Sequence, residues 1–145
     1  MSETANGSPP KSFYAIAGVA LLWNLAGLIA YYSQVTMTPE ALSQLAEAER
    51  MLYESMPAWA TGAFGVAVTA GPLGCILLLL RKALAFPVFI VSLAGVLVQH
   101  AWTFFIGDAM SVYGPVAVSG PAAVIVIGVY LIWFSRDAKM KGWLT

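Results

Sequence analysis

Charged residues are scarce in this chain. Only 10% of its 145 residues are charged, against about 25% in soluble domains, and 60% are hydrophobic. So few polar groups exclude an ordinary soluble fold. The seven basic and seven acidic residues balance to a net charge of zero, so the chain as a whole has no basic field that would attract nucleic acid.

Cysteine and histidine occur once each, as Cys75 and His100. One cysteine cannot form an internal disulfide, and the chain has no cluster of His, Cys and carboxylate residues spaced for zinc. A haem between membrane helices usually needs two axial ligands, so a second copy of the chain or a methionine would have to supply the second ligand. The motifs GxSxG, HExxH, GxGxxG and the P-loop are missing. We therefore expect no metal, no cofactor and no enzymatic activity, with haem as the remaining alternative.

The chain instead contains long runs of uncharged residues. Residues 58–80 and 83–106 form runs of 23 and 24 residues without Asp, Glu, Lys or Arg, separated by Arg81 and Lys82. As a helix each is about 35 Å long, which exceeds the bilayer's hydrocarbon core of about 30 Å. Two more apolar runs flank them. The sequence predicts an all-α, integral membrane four-helix bundle with spans at 13–33, 58–80, 83–106 and 117–135.

The remaining segments are polar. Residues 1–12 are rich in turn-forming residues, which predicts a disordered tail. Residues 137–145 form a short basic tail, and the membrane domain 13–136 lies between the two tails. A signal peptide is the competing interpretation of the N-terminus, but no clear cleavage site follows the first apolar run. Thr38, Pro39 and Glu40 are typical of a helix start. They predict one amphipathic helix over 39–55, which lies on the membrane or caps the bundle, with a plain connector as the alternative.

The basic residues predict the orientation. Lys11, the 81–82 turn and the C-terminal tail carry six Lys and Arg residues on one side of the predicted bundle, whereas the other side carries Arg50 alone. The positive-inside rule then places both termini in the cytoplasm. The amphipathic helix and the loop around Asp108 face the opposite side, which is acidic.

Three polar residues interrupt the predicted spans. Asn24 lies in the first span, and Gln99 and His100 lie in the third, where polar groups are costly and often functional. Tyr31 in the first span lies at a depth similar to that of His100 in the third, and together these residues are candidates for a polar cavity. The alternative is that they only form hydrogen bonds between helices.

Small residues recur in the second span. Ala63, Ala67, Gly71 and Cys75 are spaced four apart and predict a groove that another helix backbone can approach. Pro72 follows within the same helix, cannot donate a backbone hydrogen bond to the Val68 carbonyl, and predicts a kink.

Three short stretches carry a resemblance. They are Leu22-Trp23-Asn24-Leu25, the run from Gln34 to Glu40, and Pro57-Ala58-Trp59-Ala60. This pattern resembles a group of small bacterial inner-membrane proteins with four spans, some of which are labelled as sugar transporters. The resemblance implies the same membrane and the same fold.

Two functional hypotheses follow. In the first, the protein is non-enzymatic and acts in the bilayer as an accessory subunit or an oligomer. It associates through the small-residue groove and the acidic external cap, with a second copy or another membrane protein as its partner. In the second, it transports or binds a small solute, sugar-like in the resemblance, and works as an oligomer whose cavity is lined by the polar residues.

Overall fold

A computed structural model describes residues 8–145, and every regular element in that part of the chain is helical. The long helices are α1 (Lys11–Val35), α4 (Ala58–Leu79), α5 (Ala85–Ala101) and α7 (Ser119–Met140). The short ones are α2 (Pro39–Ser43), α3 (Glu47–Ser55) and α6 (Ala109–Tyr113). The all-α fold class is therefore confirmed.

Four helical stretches are long and apolar enough to cross a membrane. They are Lys11–Val35, Ala58–Leu79, Ala85–Ile106 and Ala109–Met140. The chain thus has the four spans of a multi-pass membrane protein. The disordered tail expected for residues 1–12 lies largely outside the described residues. Where it can be compared, α1 already begins at Lys11.

The last helix runs beyond the predicted span. It continues to Met140 because its buried face continues: Leu131, Phe134, Ser135 and Ala138 follow each other at helical spacing, and all are buried. Asp137 and Lys141 lie one turn apart and pair at 2.8 Å on the exposed side. Only the last five residues therefore form a tail, and Leu144 within it is buried.

The amphipathic segment is not the single helix predicted over 39–55. Thr38 caps α2 as expected, because its hydroxyl accepts a hydrogen bond from the Ala41 N–H. The hydroxyl of Ser43 then donates to the Glu40 carbonyl, and the Gln44 N–H donates to the Ala41 carbonyl instead of the Glu40 carbonyl. The helix ends there, and α3 starts afresh at Glu47 with two glutamates in its first turn.

The long helices pack in chain order. α1 lies against α4, α4 against α5, and α5 against α7. A core of buried side chains closes one end of the bundle, where the Phe13 ring stacks on Phe134 at 5.6 Å and meets Trp143 edge-on. The C-terminal residues fasten this end, because Arg81 Nε donates to the Trp143 carbonyl and the Thr145 N–H donates to the Arg81 carbonyl. The basic segments thus share one end of the molecule.

The acidic residues of α2 and α3, together with Asp108, lie at the opposite end. The Tyr113 hydroxyl donates to a carboxylate oxygen of Glu49 at 3.0 Å, which links α6 to α3. Leu52 of α3 and the ring of Trp102 lie so close to Gly107 that a Cβ there would meet them at about 3 Å. The short helices therefore form a cap over this end of the bundle.

Gly95 allows the backbones of α4 and α5 to approach each other closely. A Cβ at this position would lie 2.7 Å from the Ala63 carbonyl oxygen and 3.1 Å from the Ala67 nitrogen. Backbone atoms cannot yield as a flexible side chain can, so the contact between α4 and α5 requires glycine here.

We expect Gly95→Ala to lower the free energy of unfolding by about 1–3 kcal/mol, the usual cost of overpacking. Reversible unfolding in mixed micelles would measure it. Gly62→Ala is the matched control, since a Cβ at Gly62 meets nothing within 4 Å. Equal stability of the two variants would contradict the close packing described above.

Candidate functional site

A cavity of about 330 Å³ lies among the four long helices. Its wall is formed mostly by apolar side chains, with a few polar ones from α1 and α5. The lining residues are Trp23, Asn24, Ala26, Gly27, Phe64, Ala67, Val68, Phe89, Ser92, Leu93, Val96, Gln99, His100, Val124, Ile127, Gly128 and Leu131. The volume is near the lower limit for small-molecule sites.

Asn24 reaches this cavity from α1. Its Nδ2 donates to the Ala20 carbonyl at 2.8 Å and contacts the buried Cys75 sulfur at 3.5 Å. The first bond is within its own helix, and the second joins α1 to α4. Asn24 is thus held in place by protein atoms, as an amide inside a membrane needs to be.

Gln99 and His100 form a chain of hydrogen bonds on α5. The Thr103 hydroxyl donates to the Gln99 carbonyl and accepts from Gln99 Nε2, both at 3.0 Å. This orients the amide so that its oxygen faces His100 Nδ1, with which it is in close contact. Since that oxygen can only accept, Nδ1 carries the proton, and the lone pair of the neutral ring is on Nε2.

His100 Nε2 has no hydrogen-bond partner. Among residues 8–145 it is the only buried side-chain nitrogen or oxygen in this situation. An unsatisfied polar atom in a membrane core is costly, which makes this nitrogen the best candidate for contact with a ligand. Protein atoms enclose it, so the imidazole has to shift slightly to present it to the cavity.

The helix changes its winding directly after His100. Residues Trp102–Ile106 form a π-helical turn, closed by a bond from the Gly107 N–H to the Trp102 carbonyl at 2.8 Å. The Thr103 hydroxyl donates a hydrogen bond to the Gln99 carbonyl. A side-chain bond to a helix carbonyl favours such a local change in backbone hydrogen bonding. Turns of this kind are frequent at functional sites. No feature of the sequence predicted it.

Ser92 is a cavity residue that sequence reasoning missed. Its hydroxyl donates to the Ala67 carbonyl at 2.8 Å, which joins α5 to α4 beside the cavity. Serine is small and unremarkable in a membrane span, and the apolar lining residues look like any other residues of a span. Only the way the helices pack against one another shows that Ser92 and these apolar residues line a cavity.

Tyr31 does not line this cavity. Its ring packs edge-on against Phe64 at 5.2 Å, and its hydroxyl lies 2.9 Å from where a Cβ of Gly65 would be. It borders a separate surface hollow with Gly62 and Gly65. The sequence placed it near His100 by depth alone, and depth does not say which way a side chain points.

The small-residue groove is filled by helices of the same chain. Gly95 of α5 covers the backbone at Ala63 and Ala67. A Cβ at Gly71 would clash with the Asn24 oxygen of α1, and Cys75 is fully buried. It is therefore a packing groove within one chain, and the expected contact between chains has to use another surface.

Pro72 is buried within α4, which continues through it to Leu79. Its missing N–H deprives the Val68 carbonyl of its usual partner, and Val68 lines the cavity.

The described residues contain no group of three His, Cys, Asp or Glu side chains that could hold a metal ion. Neither a second imidazole nor a methionine accompanies His100 among the residues that line the cavity, so this wall holds no second axial ligand for a haem.

No family model, no curated protein and no solved structure matches this chain. The candidate function therefore rests on the geometry of the cavity.

The single histidine allows a direct test of the hydrogen-bond chain. We expect ¹⁵N NMR of the protein labelled at histidine to show a neutral ring that is protonated at Nδ1 and not at Nε2. Thr103→Val removes the hydroxyl that orients the Gln99 amide, so the ring should become a mixture of tautomers. Wild-type protein protonated mainly at Nε2 would contradict the assignment.

Proposed function

We propose that this protein is a non-enzymatic, multi-pass membrane protein that binds a small, mainly apolar molecule within its bundle. The observation that carries the proposal is the unpartnered His100 Nε2 beside an intramembrane cavity. A neutral imidazole with a free lone pair accepts one hydrogen bond. The matching ligand has one hydroxyl or N–H donor on an apolar body.

The polar groups around the cavity favour such a ligand over a sugar. Asn24 Nδ2, Ser92 Oγ and Gln99 Nε2 already donate to protein atoms. A sugar would bring many hydroxyls into this mostly apolar wall, and each one left without a partner would cost free energy. A sugar is therefore the weaker candidate ligand for this cavity.

The cavity also lacks the groups that most chemical steps need. Within the described part of the chain, no carboxylate, lysine, arginine or cysteine lines it. His100 would have to act without a partner that stabilises its charged form. This supports binding rather than catalysis.

We propose further that the protein lies in a bacterial inner membrane with both termini in the cytoplasm. The basic segments meet at the end where Arg81 holds the C-terminal residues, and the positive-inside rule assigns that end to the cytoplasm. Association with a second copy or with another membrane protein remains part of the proposal. It has to use a lipid-facing surface, because the small-residue groove is occupied.

The binding proposal predicts a requirement for His100. In nanodiscs, 4-ethylphenol should raise the melting temperature of the wild-type protein. Its methyl ether, which cannot donate a hydrogen bond, should bind roughly tenfold more weakly, about 1.4 kcal/mol. His100→Phe should remove the difference between the two compounds.

Tyr32→Phe is the matched control, since it also removes a polar group but lies outside the cavity wall and is largely exposed. Equal binding of phenol and ether by the wild-type protein would count against the proposed role of His100. No binding of either compound would count against the cavity as a binding site.

The orientation can be tested by thiol labelling in spheroplasts. In a Cys75→Ser background, Lys139→Cys and Ser43→Cys place single exposed thiols at the basic and acidic ends. We expect a membrane-impermeant maleimide to label the thiol at position 43 and to reach position 139 only after lysis. The reverse pattern would invert the proposed topology.

A further inference from the structure

Two helices that line the cavity, α1 and α7, do not pack extensively against each other. Their side chains meet at the basic end, where Phe13 stacks on Phe134. Beside that contact, a second apolar hollow of about 430 Å³ lies along the seam between them. It is lined by Ala15, Ile16, Val19, Ala20, Trp23, Ile127, Tyr130 and Leu131.

The hollow and the cavity share part of their walls. Trp23, Ile127 and Leu131 line both, so these three side chains stand between the interior of the bundle and the seam. Trp23 is 43% exposed, although it also borders the cavity. In a membrane the outer side of this seam faces lipid chains, because α1 and α7 are both spans.

The cavity is elongated, and the hydrogen-bonded pair Gln99 and His100 lies at one end of it. Along α5 its wall extends from Phe89 to His100, about 16 Å at about 1.5 Å per residue. Gln99 and His100 lie at the end nearer the acidic cap. Leu131, which the cavity shares with the seam, belongs to the core cluster of the basic end together with Phe89. A ligand held at His100 can therefore direct its other end towards the seam.

From this arrangement we propose that the ligand is a single-tailed lipophile with a hydrogen-donating head, and that it enters from the bilayer through the seam between α1 and α7. The head lies in the cavity near His100. The tail passes Trp23 and Ile127 and lies in the outer hollow among the lipid chains. This inference rests on the proposed function and adds the ligand class and the route of entry.

The volume of the cavity predicts how binding should depend on tail length. A cavity of about 330 Å³ can hold a head group but has little room for a long chain as well. A tail that leaves the bilayer for an apolar hollow gains little, because lipid chains are as apolar as the hollow. Tail length should therefore matter little while the seam is open and should matter strongly once it is blocked.

The test uses the full-length protein in nanodiscs and a photoreactive probe. The probe is a phenol with a twelve-carbon chain that carries a diazirine near its middle. Unlabelled 4-ethylphenol and 4-dodecylphenol compete with it, and intact-mass spectrometry measures the loss of labelling. With concentrations expressed per lipid, we expect the two competitors to act within about threefold of each other on the wild-type protein.

Val19→Trp should fill the outer hollow of the seam, since Val19 lines that hollow but not the cavity. We expect it to weaken 4-dodecylphenol at least tenfold and to leave 4-ethylphenol within about threefold of wild type. Val126→Trp is the matched control, because Val126 is 66% exposed, close to the 67% of Val19, and lines neither hollow. Equal effects of the two variants on the long competitor would overturn the proposed route.

Mapping the label on the wild-type protein keeps the proposal testable should Val19→Trp fail to fold. We expect the diazirine to modify residues of the seam, with Val19 and Tyr130 as the main sites. Labelling spread evenly over lipid-facing residues such as Val91 and Val98 of α5 would overturn it.

The outcomes separate this inference from the proposed function. If 4-ethylphenol binds with a requirement for His100 but 4-dodecylphenol does not bind, the cavity site stands and the seam route is wrong. If neither phenol binds the wild-type protein, the proposed function itself is wrong.

Discussion

A polar side chain in the hydrocarbon of a bilayer has to find its hydrogen-bond partners within the protein, and the centre of this bundle is built on that constraint. Asn24 meets Cys75 and so joins α1 to α4. Ser92 bonds the Ala67 carbonyl and joins α5 to α4. Gln99 is satisfied by Thr103 and by His100. The cavity is the space that these contacts leave between the helices, and His100 Nε2 is the one buried side-chain nitrogen or oxygen of residues 8–145 without a hydrogen-bond partner.

Glycine makes those contacts geometrically feasible. Gly95 lets the backbones of α4 and α5 approach each other, and Gly71 leaves room for the Asn24 amide. The ends of the bundle are closed by other means. Aromatic rings and the C-terminal residues hold the basic end, and short helices joined by the bond between Tyr113 and Glu49 cover the acidic end. The seam between α1 and α7 is the side where packing is weakest, which is why it is the proposed entry.

The candidate site combines residues of two kinds, and they differ in how visible they are in the sequence. Asn24, Gln99 and His100 stand out because polar residues are rare in apolar runs, and all three line the cavity. Trp23, Phe89 and Ile127 do not stand out, since an apolar side chain can equally well face lipid, a neighbouring helix or a cavity. Tyr31 was misplaced for a related reason. Its position along the span gave its depth, but not the face of the helix on which it lies.

The all-helical fold and its four spans follow from the amino-acid sequence, because long uncharged runs are stable in hydrocarbon only as helices that satisfy their own backbone groups. The placement of basic and acidic segments at opposite ends follows as well, since alternate loops lie on alternate sides. The folded structure was needed to see which faces of the helices meet and that the small-residue groove is filled from within. It was also needed to see that the segment 39–55 breaks after Ser43 and that a π turn follows beyond His100. A span that is apolar on all sides has no preferred face. The choice of neighbours therefore depends on side-chain shapes that meet across distant parts of the chain.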